Sequence, residues 1–122
     1  MTSFELGTKL VALVNAGKNQ EVMDTLYATD IVSVEAGAPP GQSPEVRGVA
    51  ACHEKRKQFH ARMEVHKQEA EGPFPHGDRF AVLLRNDVTP KAGGPRMTMT
   101  EVALYTVKDD KIVREEFFYK LG

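Results

Sequence analysis

Phe4, Leu6, Leu10, Leu13 and Val14 recur at the spacing of one apolar helical stripe. Ser3 is placed to cap the helix they predict, and Asn15-Ala16-Gly17 to end it, with Gly17 suited to a left-handed C-terminal cap. A second helix is expected from about Asn19 to Ala28, burying Val22, Met23, Leu26 and Tyr27. The period then changes to two. Asp30 to Ala36 predicts a strand with Ile31, Ser33 and Glu35 on one side and Val32 and Val34 on the other. The run Gly37 to Pro44 holds three prolines and two glycines and reads as a surface loop. A third helix is expected from Val49 to Ala61. Val49, Cys52, Phe59 and Met63 lie along one side of it, and Glu54, Lys55, Lys57 and Gln58 face water. Extended stretches follow at about 64–71, 79–89, 97–107 and 111–119, rich in β-branched and aromatic residues.

The predicted order is α-α-β-α-β-β-β-β. Helices first and strands last, joined by short turns, point to an α+β fold: three N-terminal helices packed on a curved, largely antiparallel sheet. Helices covering one face of such a sheet leave room for a pocket beneath them. No repeat or linker interrupts the pattern, so a single domain over residues 1–122 is expected.

The last two stretches form a hairpin around Lys108-Asp109-Asp110. A three-residue loop pairs Val107 with Lys111 and puts Asp110 in the left-handed position. Tyr105 then stands opposite Val113, Ala103 opposite Glu115 and Glu101 opposite Phe117. One face carries Glu101, Ala103, Tyr105, Val107, Val113, Glu115, Phe117 and Tyr119. The other carries Val102, Leu104, Thr106, Ile112, Arg114, Glu116 and Phe118, with Arg114 and Glu116 a cross-strand charge pair. A change of one residue in the loop would exchange these pairings.

Composition narrows the function mainly by exclusion. Sixteen basic and 17 acidic residues give a formal net charge of −1, no footprint for nucleic acid or for an anionic membrane. The N-terminus lacks a basic segment followed by a long apolar run, so a soluble cytoplasmic domain is expected. Cys52 is the single cysteine and reads as a small hydrophobe of the third helix. His53 and His60 stand two helical turns apart, too far for paired metal ligation; His66 and His76 lie elsewhere. No metal and no cofactor are expected, and no phosphate-binding loop or nucleophile elbow is present.

Taken together, Leu13-Val-Asn-Ala-Gly17, Leu26-Tyr-Ala-Thr-Asp-Ile-Val32, Val46-Arg-Gly-Val49, Gly77-Asp-Arg-Phe80 and Asp110 to Tyr119 resemble the SnoaL-like group of the nuclear transport factor 2-like superfamily. The resemblance implies a cone-shaped α+β fold. It does not imply one activity, because the superfamily holds isomerases, epoxide hydrolases, cyclases and non-enzymatic binding domains. It makes the face bearing Val113, Glu115, Phe117 and Tyr119 the concave one. The implied pocket is then lined by Leu10, Phe59, Ala103, Tyr105, Val113, Phe117 and Tyr119. Glu101 and Glu115 stand in it as candidate general acids or bases, with Phe59 and Phe117 desolvating a carboxyl. The bland alternative puts both acids at the mouth of the cone or on the solvated face.

Glu35 is the third candidate. In the ketosteroid isomerases of the superfamily a catalytic acid follows a Tyr-Ala-x-Asp segment, matched here by Tyr27 to Asp30. The alternative is a strand-end acid at the start of a loop. Those isomerases also use an oxyanion hole of a tyrosine and a protonated acid. Leu10 and Ala103 stand at the matching positions, and neither donates a hydrogen bond. An epoxide hydrolase of the limonene type would need an Asp-Arg-Asp set. Arg85 and Asp87 share a face opposite to Phe80, Val82 and Leu84, which points them outward. Two functions therefore stand side by side. One is a cofactor-independent isomerase, cyclase or hydratase acting on an apolar small molecule. The other is a non-catalytic ligand-binding or dimerising module. A homodimer through the outer sheet face, with Val102, Leu104, Ile112 and Phe118, is expected under both.

Overall fold

The computed structural model describes residues 1–121. Three helices, α1 (Ser3–Asn15), α2 (Asn19–Thr25) and α3 (Val49–Arg62), pack on a six-stranded sheet. The strands are β1 (Tyr27–Val34), β2 (Glu45–Arg47), β3 (Met63–His76), β4 (Arg79–Pro90), β5 (Met97–Lys108) and β6 (Lys111–Phe118). Their spatial order is β2-β1-β6-β5-β4-β3, with β1 and β6 parallel and the other neighbours antiparallel. The α+β architecture is the expected one. The short strand β2 is additional; it extends the edge beyond β1 just after the proline-rich loop.

The cap of α1 is Thr2, not Ser3. Thr2 Oγ1 accepts from the Glu5 N–H, and Glu5 Oε1 from the Thr2 N–H, a reciprocal capping box. Phe4 lies about 200° around the helix from Leu6 and is 52% exposed, which leaves Leu6, Leu10 and Val14 as the buried stripe. Gly17 ends the helix at φ +74°, in the left-handed conformation its position requires. Asn15 then clasps the sheet, since its side-chain amide donates to the Ala70 carbonyl and accepts from the Ala70 N–H. Helix α2 stops three residues short of the expected end because Tyr27 already belongs to β1. Gly48, at φ +95°, opens α3 and donates to the Ile31 carbonyl, which ties that helix to β1.

The core lies between the helices and the inner sheet face. Leu6, Leu10 and Val14 pack with Val22, Met23 and Leu26 over Ile31, Phe80, Val82, Ala103 and Ile112. Phe80 stacks on Tyr105 at 5.0 Å between ring centroids.

The hairpin corrects the expected register. Lys108 pairs with Lys111, leaving a two-residue turn in which both Asp109 and Asp110 have positive φ. That alone would put Val113 opposite Thr106 on the outer face. A bulge intervenes: Val107 pairs with Ile112 but Thr106 with Arg114, so Val113 is the extra residue. Beyond the bulge Tyr105 stands opposite Glu115 and Ala103 opposite Phe117, each displaced by two from expectation. A displacement of two preserves the face, so Glu115 and Phe117 remain inside. Ile112 does not stay outside as expected. It is fully buried in the core, because the two-residue turn pairs it with Val107 on the inner face, and the bulge after it then brings Glu115 and Phe117 back to that face.

Candidate functional site

Below the helices the inner face of the sheet opens into a cavity of about 930 Å³. That is room for a drug-sized molecule. All three candidate acids line it: Glu35, Glu101 and Glu115. Phe59, Tyr105, Phe117 and Tyr119 line it as well. Three expected lining residues do not. Leu10 and Ala103 are fully buried core residues behind the wall, and Val113 is half-buried at the bulge. Arg85 and Asp87 are also outside the lining. Arg85 faces Glu71, and Asp87 accepts two hydrogen bonds from Arg96 at 2.8 and 2.7 Å.

Glu115 is the most enclosed of the acids, 4% exposed. One carboxylate oxygen accepts from the Tyr27 hydroxyl, the other from Ser33 Oγ at 2.6 Å and Cys52 Sγ at 3.6 Å. Burial raises its pKa, while the Ser33 and Tyr27 hydrogen bonds and the Lys55 charge pull the other way. Burial and the nearby Glu115 charge lift the Tyr27 and Tyr105 phenols well above their ordinary value and push the Cys52 thiol up to about 12. The cysteine is thus a protonated donor to Glu115 rather than a nucleophile.

Lys55 was expected to face water; it enters the site instead. Its ammonium donates to Ser33 Oγ at 2.7 Å, lies 3.6 Å from Glu35 Oε1, and sits 5.2 Å from the centroid of the Phe117 ring. Ser33 therefore relays between a cation and a buried carboxylate, accepting from one and donating to the other. Lys55 stands one helical turn after Cys52 and one turn before Phe59, so the inward stripe of α3 predicts its placement. Its charge made it look like a solvated residue.

Glu101 differs from both other acids. It carries no side-chain hydrogen bond or ion pair among the described residues, although it lies in a largely desolvated part of the wall. Burial first, then the charges of Glu35 and Glu115, raise its pKa from 4.5 to about 7, against the lowering effect of Lys55. A carboxyl balanced near neutrality and free of fixed partners can take up or release a proton on a bound molecule. Among the described residues, no group of three or more His, Cys, Asp and Glu side chains is arranged to hold a metal.

A curved sheet with helices over its concave face and a cavity between them defines the class of cystatin-like, NTF2-like folds. Within that class the chain belongs to the SnoaL-like family, whose domain profile matches residues 1–119. A Mesorhizobium loti protein, provisionally described as a SnoaL-like polyketide cyclase with carbohydrate phosphatase as a second description, is 40% identical. The match covers 98% of this chain and all of that one, with a TM-score of 0.89. Two more distant structures share the fold. A provisional polyketide cyclase of Pseudomonas putida is 18% identical over 99% of this chain and 93% of its own, TM-score 0.70. A hypothetical protein of Catenulispora acidiphila with a ketosteroid isomerase-like fold, in complex with trimethylamine, is 20% identical over 98% of this chain and 88% of its own, TM-score 0.74. No curated protein matches the sequence. No helix is long and apolar enough to cross a membrane.

Proposed function

We propose that the cavity binds a small, largely apolar carbonyl compound and that Glu101 moves a proton on it, an isomerase- or cyclase-type reaction without a cofactor. The observation that carries this reading is the Glu101 carboxyl itself: cavity-lining, without a fixed partner, and raised to about 7. The polyketide-cyclase description of the Mesorhizobium loti relative agrees with the reaction class. Glu101 abstracts a proton next to the carbonyl as carboxylate and returns it to another atom as acid. Lys55 is the nearby cation against which negative charge on the ligand oxygen develops, a place that Leu10 and Ala103 cannot fill. Glu115, held by Tyr27, Ser33 and Cys52, positions Lys55 through Ser33.

Solvent-deuterium exchange into 2-tetralone, an enolisable bicyclic ketone, tests the proton transfer. The wild-type protein should accelerate exchange, and Glu101→Gln should reduce the acceleration about 100-fold or more, the usual contribution of a positioned acid–base group. Exchange undiminished in Glu101→Gln would remove Glu101 from the role.

We also propose that two copies pair through the outer sheet face. Leu83, Val102 and Phe118 are cross-strand neighbours there, with Val102 and Phe118 41% and 51% exposed and Leu104 beside them. Light scattering should give twice the chain mass at micromolar concentration; the mass of one chain would overturn the pairing.

A further inference from the structure

The inner positions of β4 run Phe80, Val82, Leu84, Asn86 and Val88, all buried. Asn86 breaks this apolar stripe. It is 6% exposed, lines the cavity, and its Oδ1 has no hydrogen-bond partner among the described residues. Folded proteins leave few buried carbonyl oxygens unpaired, because each costs about 1–3 kcal/mol. An apolar residue at this position would continue the stripe without that cost. The amide therefore has a use that folding does not supply.

Strand register says what it faces. Asn86 pairs with Met99 on β5, and Leu84 pairs with Glu101. Asn86 and Glu101 are thus diagonal cross-strand neighbours on the inner face, roughly 7–8 Å apart at the backbone. A molecule that reaches one can touch the other. On α3, Arg56 Nε is also buried, cavity-lining and without an acceptor. Besides Glu101, the residues lining the cavity thus carry a buried unmatched acceptor and a buried unmatched donor, both outside the Glu115 network.

We propose that Asn86 is a ligand-positioning and specificity residue: its amide, turned about its last side-chain bond to bring Oδ1 to the cavity, accepts from a hydroxyl group on the ligand, and the Arg56 guanidinium donates to a ligand oxygen. The ligand class narrows from apolar small molecules to hydroxylated carbonyl compounds. The hydroxyl docks on β4 beside the carbon where Glu101 works, so a molecule lacking it forgoes that hydrogen bond and binds more weakly, while the amide oxygen stays unpaired. This rests on the reading that the cavity holds a small carbonyl compound.

The test uses 2-tetralone, its four ring-hydroxylated isomers (5-, 6-, 7- and 8-hydroxy) and their methyl ethers, titrated calorimetrically into wild type, Asn86→Leu and Arg56→Met. For at least one isomer the phenol should bind wild type about tenfold or more tighter than its methyl ether. Asn86→Leu should erase that preference while 2-tetralone itself binds within about twofold of wild type. Arg56→Met should weaken phenol and ether alike. Asn86→Leu should also melt no lower than wild type, because it removes an unpaired buried amide; a purely structural amide would lower the melting temperature instead. Tetralone binding with no phenol preference in wild type, or with the preference intact in Asn86→Leu, overturns the role of Asn86 and leaves the cavity reading standing. If no tetralone binds wild type at millimolar concentration, the small-molecule reading falls and this inference with it.

Discussion

Replacing Glu101 by glutamine should stabilise the protein, and the gain should depend on pH. In the unfolded chain this carboxyl ionises around 4.5; in the folded protein it stays protonated until about 7. Below 4.5 both states carry the proton and the group contributes no pH dependence. From 4.5 to about 7 the folded state binds more protons than the unfolded one, so stability falls as pH rises. Above about 7 both are ionised and the loss is complete. At about 1.4 kcal/mol per pH unit, the interval between 4.5 and 7 bounds the loss at about 3 kcal/mol. Solvent entering the open cavity screens part of the Glu35 and Glu115 contribution, so about 2 kcal/mol is the expected value. Glutamine keeps the shape and cannot ionise. Urea unfolding of wild type and Glu101→Gln at pH 4.5, 6 and 8 isolates the effect as a difference curve. The two proteins should be about equally stable at pH 4.5 and diverge upward, with the variant ahead by about 2 kcal/mol at pH 8. A difference that stays flat across this range would refute the desolvated placement of Glu101, and with it the basis for its acid–base role.

Three further outcomes test the surrounding network. Ser33→Ala removes a hydroxyl that serves the Lys55 ammonium and the Glu115 carboxylate at once, and should cost about 2–3 kcal/mol in denaturant unfolding; a cost under about 0.5 kcal/mol would mean that the relay is not formed. Lys55→Met deletes the charge that lowers the Glu101 pKa, so the carbon-13 NMR titration midpoint of the Glu101 carboxyl should move upward; an unchanged or lower midpoint contradicts the geometry. Leu10→Ala truncates a fully buried core side chain outside the cavity lining and should cost about 2–5 kcal/mol while leaving 2-tetralone affinity unchanged; lost affinity in a folded variant would move Leu10 into the site.

Most of the fold was legible in the chain because its signals are local. The α1 stripe, the left-handed Gly17, the period-two runs of β4 to β6 and the proline-rich loop each report on neighbours a few residues away. Glu115 and Phe117 keep the inward face that the family resemblance implied, since the displacement of two in the hairpin conserves parity. Lys55 and Asn86 both carried a positional signal, one on the inward stripe of α3 and the other in the inner register of β4. Their polarity concealed it.

The sequence by itself determined which segments become helices and strands and which residues alternate along each strand; it left Glu35, Glu101 and Glu115 open between a pocket and the solvated surface. Periodicity and capping are properties of adjacent residues and need no partner. Only the tertiary structure decided the bulge at Val113, the burial of Ile112, the parallel pairing of β1 with β6 that brings Ser33 beside Glu115, and the turn of Lys55 into the cavity. The chemical character of Glu101 belongs to that second group. Its proton affinity depends on the water that the surrounding elements exclude and on charges carried by other segments of the chain, and neither exists until the sheet has assembled.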